Sequence, residues 1–421
     1  ITNKKKLPKL KQICTKFRIN CSIIGHVTND KMMRVKKGQK TLALLPAEFV
    51  ARAPLLDRKK TKPKYLQSIK FELKVEKALN YSEIILKLLS SPNIASKHWV
   101  FQQYDHEVGI RTVVKPGFDA SVLRLDNGKF LSAKIDGNPK HCYLDPRQGA
   151  IGCFEEACRN VVCTGANPIG MVDHLQFGNP EDPEVFWTFM ESIEGLADLA
   201  KFLRIPCVGG KVSFYNETKL GPIKPTPLIG VLGIIDKTFL PTIPPNSGDY
   251  LVIIGKTKDE LGGSEYYEYI HKFIGGHCPT VDFKDSKINM LTVLALIKNK
   301  LVKSVHDCSK GGAAIAISEL SIFGNIGCDI DIEKLSSKNS FSIDKLLFSE
   351  SHSRYLLVID KKNINQVKQF LSKKKTTFSV LGKFSGDQIQ FMHKSKYLVK
   401  FTVDIAQKKY FNTLEELLKN G

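Results

Sequence analysis

Residues 204–217 read Arg-Ile-Pro-Cys-Val-Gly-Gly-Lys-Val-Ser-Phe-Tyr-Asn-Glu. A short apolar run typical of a strand ends in Gly209 and Gly210, and polar side chains follow at once, among them Lys211 and Ser213. A glycine pair at the end of a strand lets a ligand approach bare backbone, because no side chain stands in the way. The pattern indicates a binding site at the end of a strand. The alternative is a Gly-Gly hairpin with a solvated second strand.

The residues around this segment predict a first complete domain over residues 96–246, with a mixed sheet and helices. Asn127-Gly128 is typical of a type I′ hairpin between two short strands. Asp182 followed by Pro183 is typical of a helix N-cap and first helical residue. The predicted elements are strands at 121–125, 130–135 and 227–235 and helices at 153–164 and 183–203.

Residues 247–421 predict a second domain in which strands and helices alternate, as is typical of an α/β domain. The predicted strands are residues 250–254, 328–332, 354–359, 377–382 and 397–403. The predicted helices are residues 287–300, 311–323, 363–374 and 412–420, with another beginning near Gly263 and Ser264. Together the two domains predict an α+β chain.

The start of the chain repeats the pattern of its end. Residues 1–50 predict a helix at 7–17 and strands at 21–26, 32–35 and 41–45. When Gly25 is aligned with Gly382, Leu7 falls on Ile364, and the apolar positions continue to correspond. A repeat of this period indicates duplication rather than a solenoid. We therefore expect residues 1–50 to be the tail of a preceding copy of the second domain, followed by a linker and helix over residues 51–95.

The composition predicts a chain without a membrane span in a reducing compartment. The chain has 421 residues, ten cysteines and a formal net charge of +21. No apolar run reaches the roughly 18 residues of a membrane helix. No Cys-x-x-Cys pair occurs, so reduced thiols and a cytoplasmic location are expected. The charge raises nucleic-acid binding as an alternative, but scattered lysines favour a solvated basic surface, with neither nucleic acid nor membrane as partner.

Four acidic or amide side chains stand where a metal or phosphate could be bound. Glu156 and Asn160 lie four residues apart on one predicted helix and so share a face. Their oxygens are of the type that Mg²⁺ prefers, and Asp119 at a strand start could join them. The alternatives are a helix-surface hydrogen bond and an Asx cap. Asp173 follows an apolar strand and precedes a Gly-Asn-Pro loop, a position typical of a cleft rim.

Two further motifs leave structural and functional interpretations open. His306-Asp307-Cys308-Ser309-Lys310-Gly311-Gly312 leads into a helix, and such loops expose backbone N–H groups to phosphate. His306 equally suits a cap or a core position. Asp136, in Asp-Gly-Asn-Pro, is explained by a turn.

These motifs resemble those of phosphoribosylformylglycinamidine synthase. The resemblance extends over essentially the whole chain and is to the second half of the synthetase subunit. It rests on Pro116-Gly117-Phe118-Asp119-Ala120-Ser121, Glu156-Ala157-Cys158-Arg159-Asn160, Leu175-Gln176-Phe177-Gly178-Asn179-Pro180, Gly210-Lys211-Val212-Ser213-Phe214-Tyr215-Asn216-Glu217, Leu261-Gly262-Gly263-Ser264-Glu265, His306-Asp307-Cys308-Ser309 and Phe348-Ser349-Glu350-Ser351.

The resemblance implies a tandem duplication of an aminoimidazole ribonucleotide synthase-like unit, with a mixed-sheet N-terminal domain and an α/β C-terminal domain. It implies a ligase of purine biosynthesis that converts formylglycinamide ribonucleotide to the amidine with ATP and ammonia. Asp173 and Gly210 match residues that contact ATP, and Ser213 matches one that contacts substrate. Residues matching Asp119, Glu156, Asn160 and Asp307 hold Mg²⁺ at a second nucleotide site in the large form of the family, with Ser309 near the nucleotide.

Lys211 departs from the family, where an asparagine usually ligates Mg²⁺. An ammonium group cannot ligate a cation, so direct contact with an ATP phosphate is expected instead. The family's catalytic histidines lie in the first half, so we expect this chain to hold half of a composite site. The expected partners are that first half, a glutaminase subunit and a small accessory subunit. The alternative is a catalytically inactive nucleotide-binding scaffold.

Overall fold

A computed structural model describes residues 1–52, 57–69, 71–75, 80–236, 241–242, 244–336, 341–374 and 376–419. The chain divides into two compact units, Ile1–Arg58 and Lys59–Gly421. Parts of the linker predicted over residues 51–95, and residues near 240 and 338, lie outside the described residues. No helix in the described part of the chain is both long and apolar enough to cross a membrane.

The first unit is a helix followed by a hairpin and a short helix. Its elements are a 3₁₀ turn at Lys4–Lys6, α1 (Leu7–Lys16), β1 (Met32–Lys37), β2 (Lys40–Pro46) and α2 (Ala47–Ala51). The strands pair antiparallel, with Met33 opposite Leu45. None of the described residues of this unit is buried. The strand predicted at residues 21–26 is wrong: the segment has no regular structure, since no described strand of this unit lies beside it to complete its hydrogen bonds.

The second unit begins with a connecting segment and a six-stranded mixed sheet. Its elements are α3 (Tyr65–Ser68), α4 (Tyr81–Leu89), α5 (His98–Phe101), a 3₁₀ turn at Val108–Ile110, β3 (Thr112–Val114), β4 (Ser121–Arg124), β5 (Phe130–Asp136), α6 (Pro139–Leu144), α7 (Pro146–Cys163), β6 (Asn167–Gln176), α8 (Pro183–Leu203), β7 (Cys207–Ser213), β8 (Glu217–Thr218), β9 (Gly221–Pro222) and β10 (Thr226–Ile235). The strand order is β3-β4-β5-β10-β6-β7, and only β6 and β7 pair in parallel.

Local sequence signals place the two helices that cover this sheet. The side chain of Asp182 accepts a hydrogen bond from the Glu184 amide, and Pro183 opens α8 as predicted. The prediction that α7 begins at residue 153 is wrong by seven residues. Asp145 caps α7 by accepting from the Gln148 amide, so the Asp-Pro pair starts the helix rather than forming a turn.

A seven-stranded sheet follows, with helices on both faces. Its elements are β11 (Tyr250–Ile254), a π-helical turn (Tyr266–Ile270), α9 (Phe283–Lys298), β12 (Ser304–Asp307), α10 (Gly312–Gly324), β13 (Cys328–Asp331), a 3₁₀ turn (Ile332–Leu335), α11 (Ile343–Phe348), β14 (Tyr355–Ile359), α12 (Ile364–Lys373), β15 (Phe378–Phe384), β16 (Gln388–His393), β17 (Lys396–Thr402) and α13 (Val403–Lys419). The strand order is β12-β14-β11-β15-β13-β16-β17.

Helix α7 lies in the layer between the two sheets. Alternate residues of β11 serve different cores: Val252 and Ile254 pack in the core that contains α7, while Leu251 and Ile253 pack in a core on the opposite face. A strand buried on both faces has a continuous apolar sequence, as β11 does. The ends of β5 and β12 therefore lie near α7, and this arrangement positions the polar side chains described next.

Candidate functional site

A cavity of about 470 Å³ lies between the two sheets and is lined by most of the polar residues singled out in the sequence. Asp119 precedes β4, Asp136 ends β5, and Asp307 ends β12. Helix α7 contributes Glu156 and Asn160 from one face. The remaining polar lining includes Asn93, Ser96, Lys97, Lys134, His306, Ser309, Lys310 and Glu319.

Asp119 and His306 form a buried pair at one side of this cavity. His306 Nδ1 lies 2.9 Å from Asp119 Oδ1, and its Nε2 lies 3.0 Å from Glu319 Oε2. Burial opposes the charged form of each group, but the pairing outweighs it. The pKa of His306 is held well above its ordinary value by Asp119 and Glu319, and that of Asp119 is lowered. His306 is therefore a partner of Asp119 rather than a free base.

Asn160 and Arg159 tie the carboxylates together from helix α7. Asn160 Nδ2 donates to Asp136 Oδ2 and to Asp307 Oδ2, at 3.2 Å each. Arg159 Nη2 donates to Asp307 Oδ2 at 3.0 Å. Burial raises the pKa of Asp307, and Arg159 opposes that rise. The same helix thus holds two carboxyl groups that come from two different sheets.

Two lysines complete the charge balance of the cavity. Lys310 Nζ lies 3.6 Å from Glu156 Oε1, and Lys134 Nζ lies 3.8 Å from Asp136 Oδ1. Burial raises the pKa of Asp136 to about 7; Lys134 opposes this rise and Glu156 adds to it. Burial acts to raise the pKa of Glu156, but the nearby cations Lys310, Arg159 and Lys134 together outweigh it, so this pKa is lowered. Sequence reasoning missed these lysines and assigned Asp136 to a turn.

The four residues predicted as metal ligands do meet in this cavity, but their arrangement does not fit a resident Mg²⁺. Among the described residues, no group of three or more His, Cys, Asp or Glu side chains is placed to hold a metal ion. Asn160 turns its amide hydrogens toward Asp136 and Asp307. Glu156 and Asp307 each face a basic side chain. The negative charge of each is therefore already partly balanced by a basic side chain.

The remaining predicted site residues lie elsewhere, on neighbouring strands of the first sheet. Asp173 on β6 is aligned with Gly210 on β7, and Gln176 with Ser213. A Cβ on Gly210 would overlap with the Asp173 carboxyl group, so any other residue at this position would require the Asp173 side chain to turn aside. Lys211 is exposed and forms no ion pair with a described residue.

The structure therefore separates the predicted nucleotide residues. Ser309 lies in the cavity, whereas Asp173, Gly210 and Lys211 do not line it. Asp136 is aligned with Ile229 on β10, and Ile229 with Asp173. The two carboxyl groups are thus separated by two strand spacings, roughly 10 Å. They lie on the same face of the sheet.

The loop after Ser213 is fixed by its own hydrogen bonds. Asn216 Nδ2 donates to the carbonyl oxygens of Ser213 and Phe177, at 2.9 and 3.0 Å. Glu217 Oε1 accepts from the Asn179 amide at 2.7 Å. Part of the dense polar run after the glycine pair thus orders the loop.

Comparison with known proteins identifies the class. Residues 117–235 match the N-terminal domain of the AIR synthase related proteins, and residues 246–394 match their C-terminal domain. These matches cover more than half of the chain, which therefore belongs to the AIR synthase related family. The predicted α+β fold with an aminoimidazole ribonucleotide synthase-like N-terminal and C-terminal domain is confirmed.

Within that family, the similar curated proteins are phosphoribosylformylglycinamidine synthase subunits, which confirms the resemblance seen in the motifs. The chain is 40% identical over 418 residues to subunit PurL of Methanocaldococcus jannaschii, covering 97% of this chain and 56% of the relative. It is 38% identical to PurL of Thermococcus sibiricus, covering 99% of this chain and 57% of the relative. The chain thus spans about half the length of these relatives.

Solved structures share the fold at lower identity. Thermotoga maritima PurL complexed with FGAR aligns with a TM-score of 0.66 and 18% identity, over 79% of this chain and 54% of that chain. The complex of the same protein with ATP aligns with a TM-score of 0.63 and 18% identity, over 78% and 52%.

Proposed function

We propose that this chain supplies part of the active site of an ATP-dependent ligase that converts formylglycinamide ribonucleotide to formylglycinamidine ribonucleotide in purine biosynthesis. The observation that carries the proposal is 40% identity to a PurL subunit along 97% of the chain. Thermotoga maritima PurL, which shares the fold, has been solved with FGAR and with ATP. In the reaction ATP phosphorylates the amide oxygen of the substrate. Ammonia then attacks the carbon of the phosphorylated amide, phosphate leaves, and the amidine remains.

We assign ATP to the strand pair β6 and β7. Gly210 has no side chain to block a phosphate once the Asp173 carboxyl group turns aside, and the Lys211 ammonium can neutralise the phosphate as a point charge. Asp173 lies beside Gly210, and Ser213, one residue beyond Val212 on β7, is assigned to the ribonucleotide substrate. Mg²⁺ enters this scheme as part of the ATP substrate. The chain contributes positioning and charge stabilisation rather than covalent chemistry.

The chain presents surfaces that suit a second synthetase half. The outer face of the six-stranded sheet exposes apolar side chains, including Ile135 at 68% and Val172 at 38%, which are aligned through Gly230. Apolar exposure on a sheet face is typical of an interaction surface. We propose that the rest of a full-length subunit, on the same polypeptide or another, packs there and supplies the catalytic histidines.

The first unit supports the same proposal. With residue 25 aligned on 382, α1 falls on α12, and the β1–β2 hairpin falls within one residue of β16–β17. Leu42 is 58% exposed, while its counterpart Val399 is fully buried, and Leu10 is 39% exposed against a buried Val367. We propose that this unit ends a preceding copy of the second domain in a tandem duplication. Its apolar side chains would then be covered by the strands and helices of that copy.

Ammonia would come from glutamine through a glutaminase partner, with a small accessory subunit, and the reaction would take place in the cytoplasm. A nucleotide-binding scaffold is the second candidate. It is favoured by one observation about the cavity between the two sheets, which we call the interdomain cavity. Its carboxyl groups are all paired with basic side chains rather than left free for chemistry.

Calorimetric titration of ATP into the full chain tests the nucleotide assignment. Lys211→Met should weaken ATP binding by about tenfold, on the order of 1.4 kcal/mol, because a charge-assisted contact with phosphate is lost. Lys219→Met is the matched control, because Lys219 is also an exposed lysine but lies in the turn between β8 and β9. This variant should bind ATP like the wild type. Equal affinities for the two variants would contradict the role of Lys211.

A further inference from the structure

Four carboxyl groups of the interdomain cavity each face a basic side chain. Asp119 pairs with His306 at 2.9 Å, and Asp307 pairs with Arg159 at 3.0 Å. The other two pairs are Asp136 with Lys134 at 3.8 Å and Glu156 with Lys310 at 3.6 Å. We define these four acids, with Asn160, as the acidic cluster. Each of these four acids thus already has a basic side chain beside it, although His306 also contacts Glu319 and Arg159 also contacts Glu155.

We propose that Lys310 is a built-in cation that takes the place of a divalent metal, so that the acidic cluster needs no Mg²⁺. Its ammonium group lies opposite Glu156, one of the two residues on α7 that the motif resemblance assigned to a metal. A divalent ion entering between Glu156 and Asp307 would meet the charges of Lys310 and Arg159. It would also meet the amide hydrogens of Asn160, which point at Asp307.

The backbone that carries Lys310 is held in place. Gly311 and Gly312 adopt φ values of +75° and +68°, and the Gly311 amide donates to Glu350 Oε1 at 2.8 Å. A Cβ at Gly312 would lie 2.6 Å from the Leu347 carbonyl oxygen. The loop therefore cannot swing away from the cavity without breaking buried contacts, so the Lys310 side chain starts from a fixed point.

The proposal is tested on the full chain with Mn²⁺ as the probe, counting bound ions by electron paramagnetic resonance. Wild type and Glu156→Gln should bind the same number of Mn²⁺ ions, because Glu156 holds none. Lys310→Met should gain one site, because Glu156 loses its cation while the cluster keeps its oxygens. Lys256→Met removes a lysine from an exposed pair with Asp285, 2.7 Å away, and should gain none.

Thermal unfolding gives a second readout that does not depend on activity. Replacing EDTA by excess Mg²⁺ should leave the Tm of the wild type unchanged and raise that of Lys310→Met. A Mn²⁺ site in the wild type that Glu156→Gln removes would overturn the proposal, and so would a Lys310→Met protein that gains no site. If Lys310→Met fails to fold, the comparison of wild type with Glu156→Gln decides. The proposal concerns this cavity alone, so either result leaves the assignment of ATP to β6 and β7 standing.

Discussion

Replacing Arg159 by methionine should be among the most destabilising single substitutions in this chain. The Arg159 side chain is 1% exposed and pairs with Glu155 and with Asp307, which are 0% and 4% exposed. Methionine fills much of the same volume but leaves two buried carboxylates without their cation. Removing one partner of a buried ion pair typically costs about 3–5 kcal/mol, because the remaining charge is uncompensated. Hydrogen bonds to Glu155 from Ser286 and Ser353 offset part of that cost.

Urea unfolding at constant pH measures this cost. With an m-value of about 3 kcal/mol per M, a loss of about 3–5 kcal/mol should lower the midpoint by roughly 1–1.7 M. Arg147→Met is the matched control, since Arg147 lies on the same helix but is 35% exposed and pairs with Glu194 and Asp198. That change should cost less than about 1 kcal/mol. Similar midpoints for the two variants would refute the view that α7 is anchored through a buried charge network.

Three further changes test other parts of the structure. A Cβ at Gly149 would overlap with the Cys142 backbone, so Gly149→Ala should lower the free energy of unfolding by about 2 kcal/mol. Gly25→Ala is the control: a Cβ there would have no atom within 4 Å, so this free energy should not fall. Asp182→Ala removes the α8 N-cap and should cost about 1 kcal/mol in urea unfolding; no change would contradict the cap. Burial raises the pKa of Asp136 from 3.8 to about 7, so its protonated form stabilises the fold. That contribution is complete below about pH 4 and is lost as the pH rises to about 7, so the wild type should lose stability relative to Asp136→Asn over this range, and parallel pH profiles would contradict this.

Much of the fold could be predicted because local signals and tertiary structure agree. The bounds of β11 match the prediction, since a strand buried on both faces is apolar throughout. The Asp182-Pro183 pair starts α8 as expected. Strand β16 was missed although Ile389 and Phe391 alternate with polar residues, a period of two that the prediction did not use.

Tertiary packing explains the errors. The first two turns of α7 contain Gly149 and Gly152, which lower helix propensity. Gly149 is needed where α7 passes close to the Cys142 backbone, and a Cβ at Gly152 would lie 2.6 Å from His352 Nε2. The strand predicted at residues 21–26 failed for the opposite reason: its counterpart β15 pairs with β11 and β13, and no such partner lies beside it in the first unit.

The sequence predicted the acidic and amide residues of the candidate site but not the lysines that pair with them. Glu156 and Asn160 share a helix face, and that spacing correctly indicated that they lie side by side, as they do in the lining of one cavity. The sequence could not show that Lys134 and Lys310 reach the same cavity from β5 and from the loop after β12, because those segments are far apart in the chain. One signal was available. Lys134 and Asp136 follow the buried Phe130 and Ser132 at intervals of two residues on the same strand, so all four side chains are on the inward face.

The most direct test of the proposed function is turnover of formylglycinamide ribonucleotide with ATP and ammonia. The assay compares this chain alone with the same chain mixed with the remaining part of a full-length PurL subunit. Our account predicts no amidine from the chain alone and ATP-dependent amidine formation on mixing, because each part supplies some of the residues of one composite site. Turnover by the chain alone, at the rate of the mixture, would contradict it.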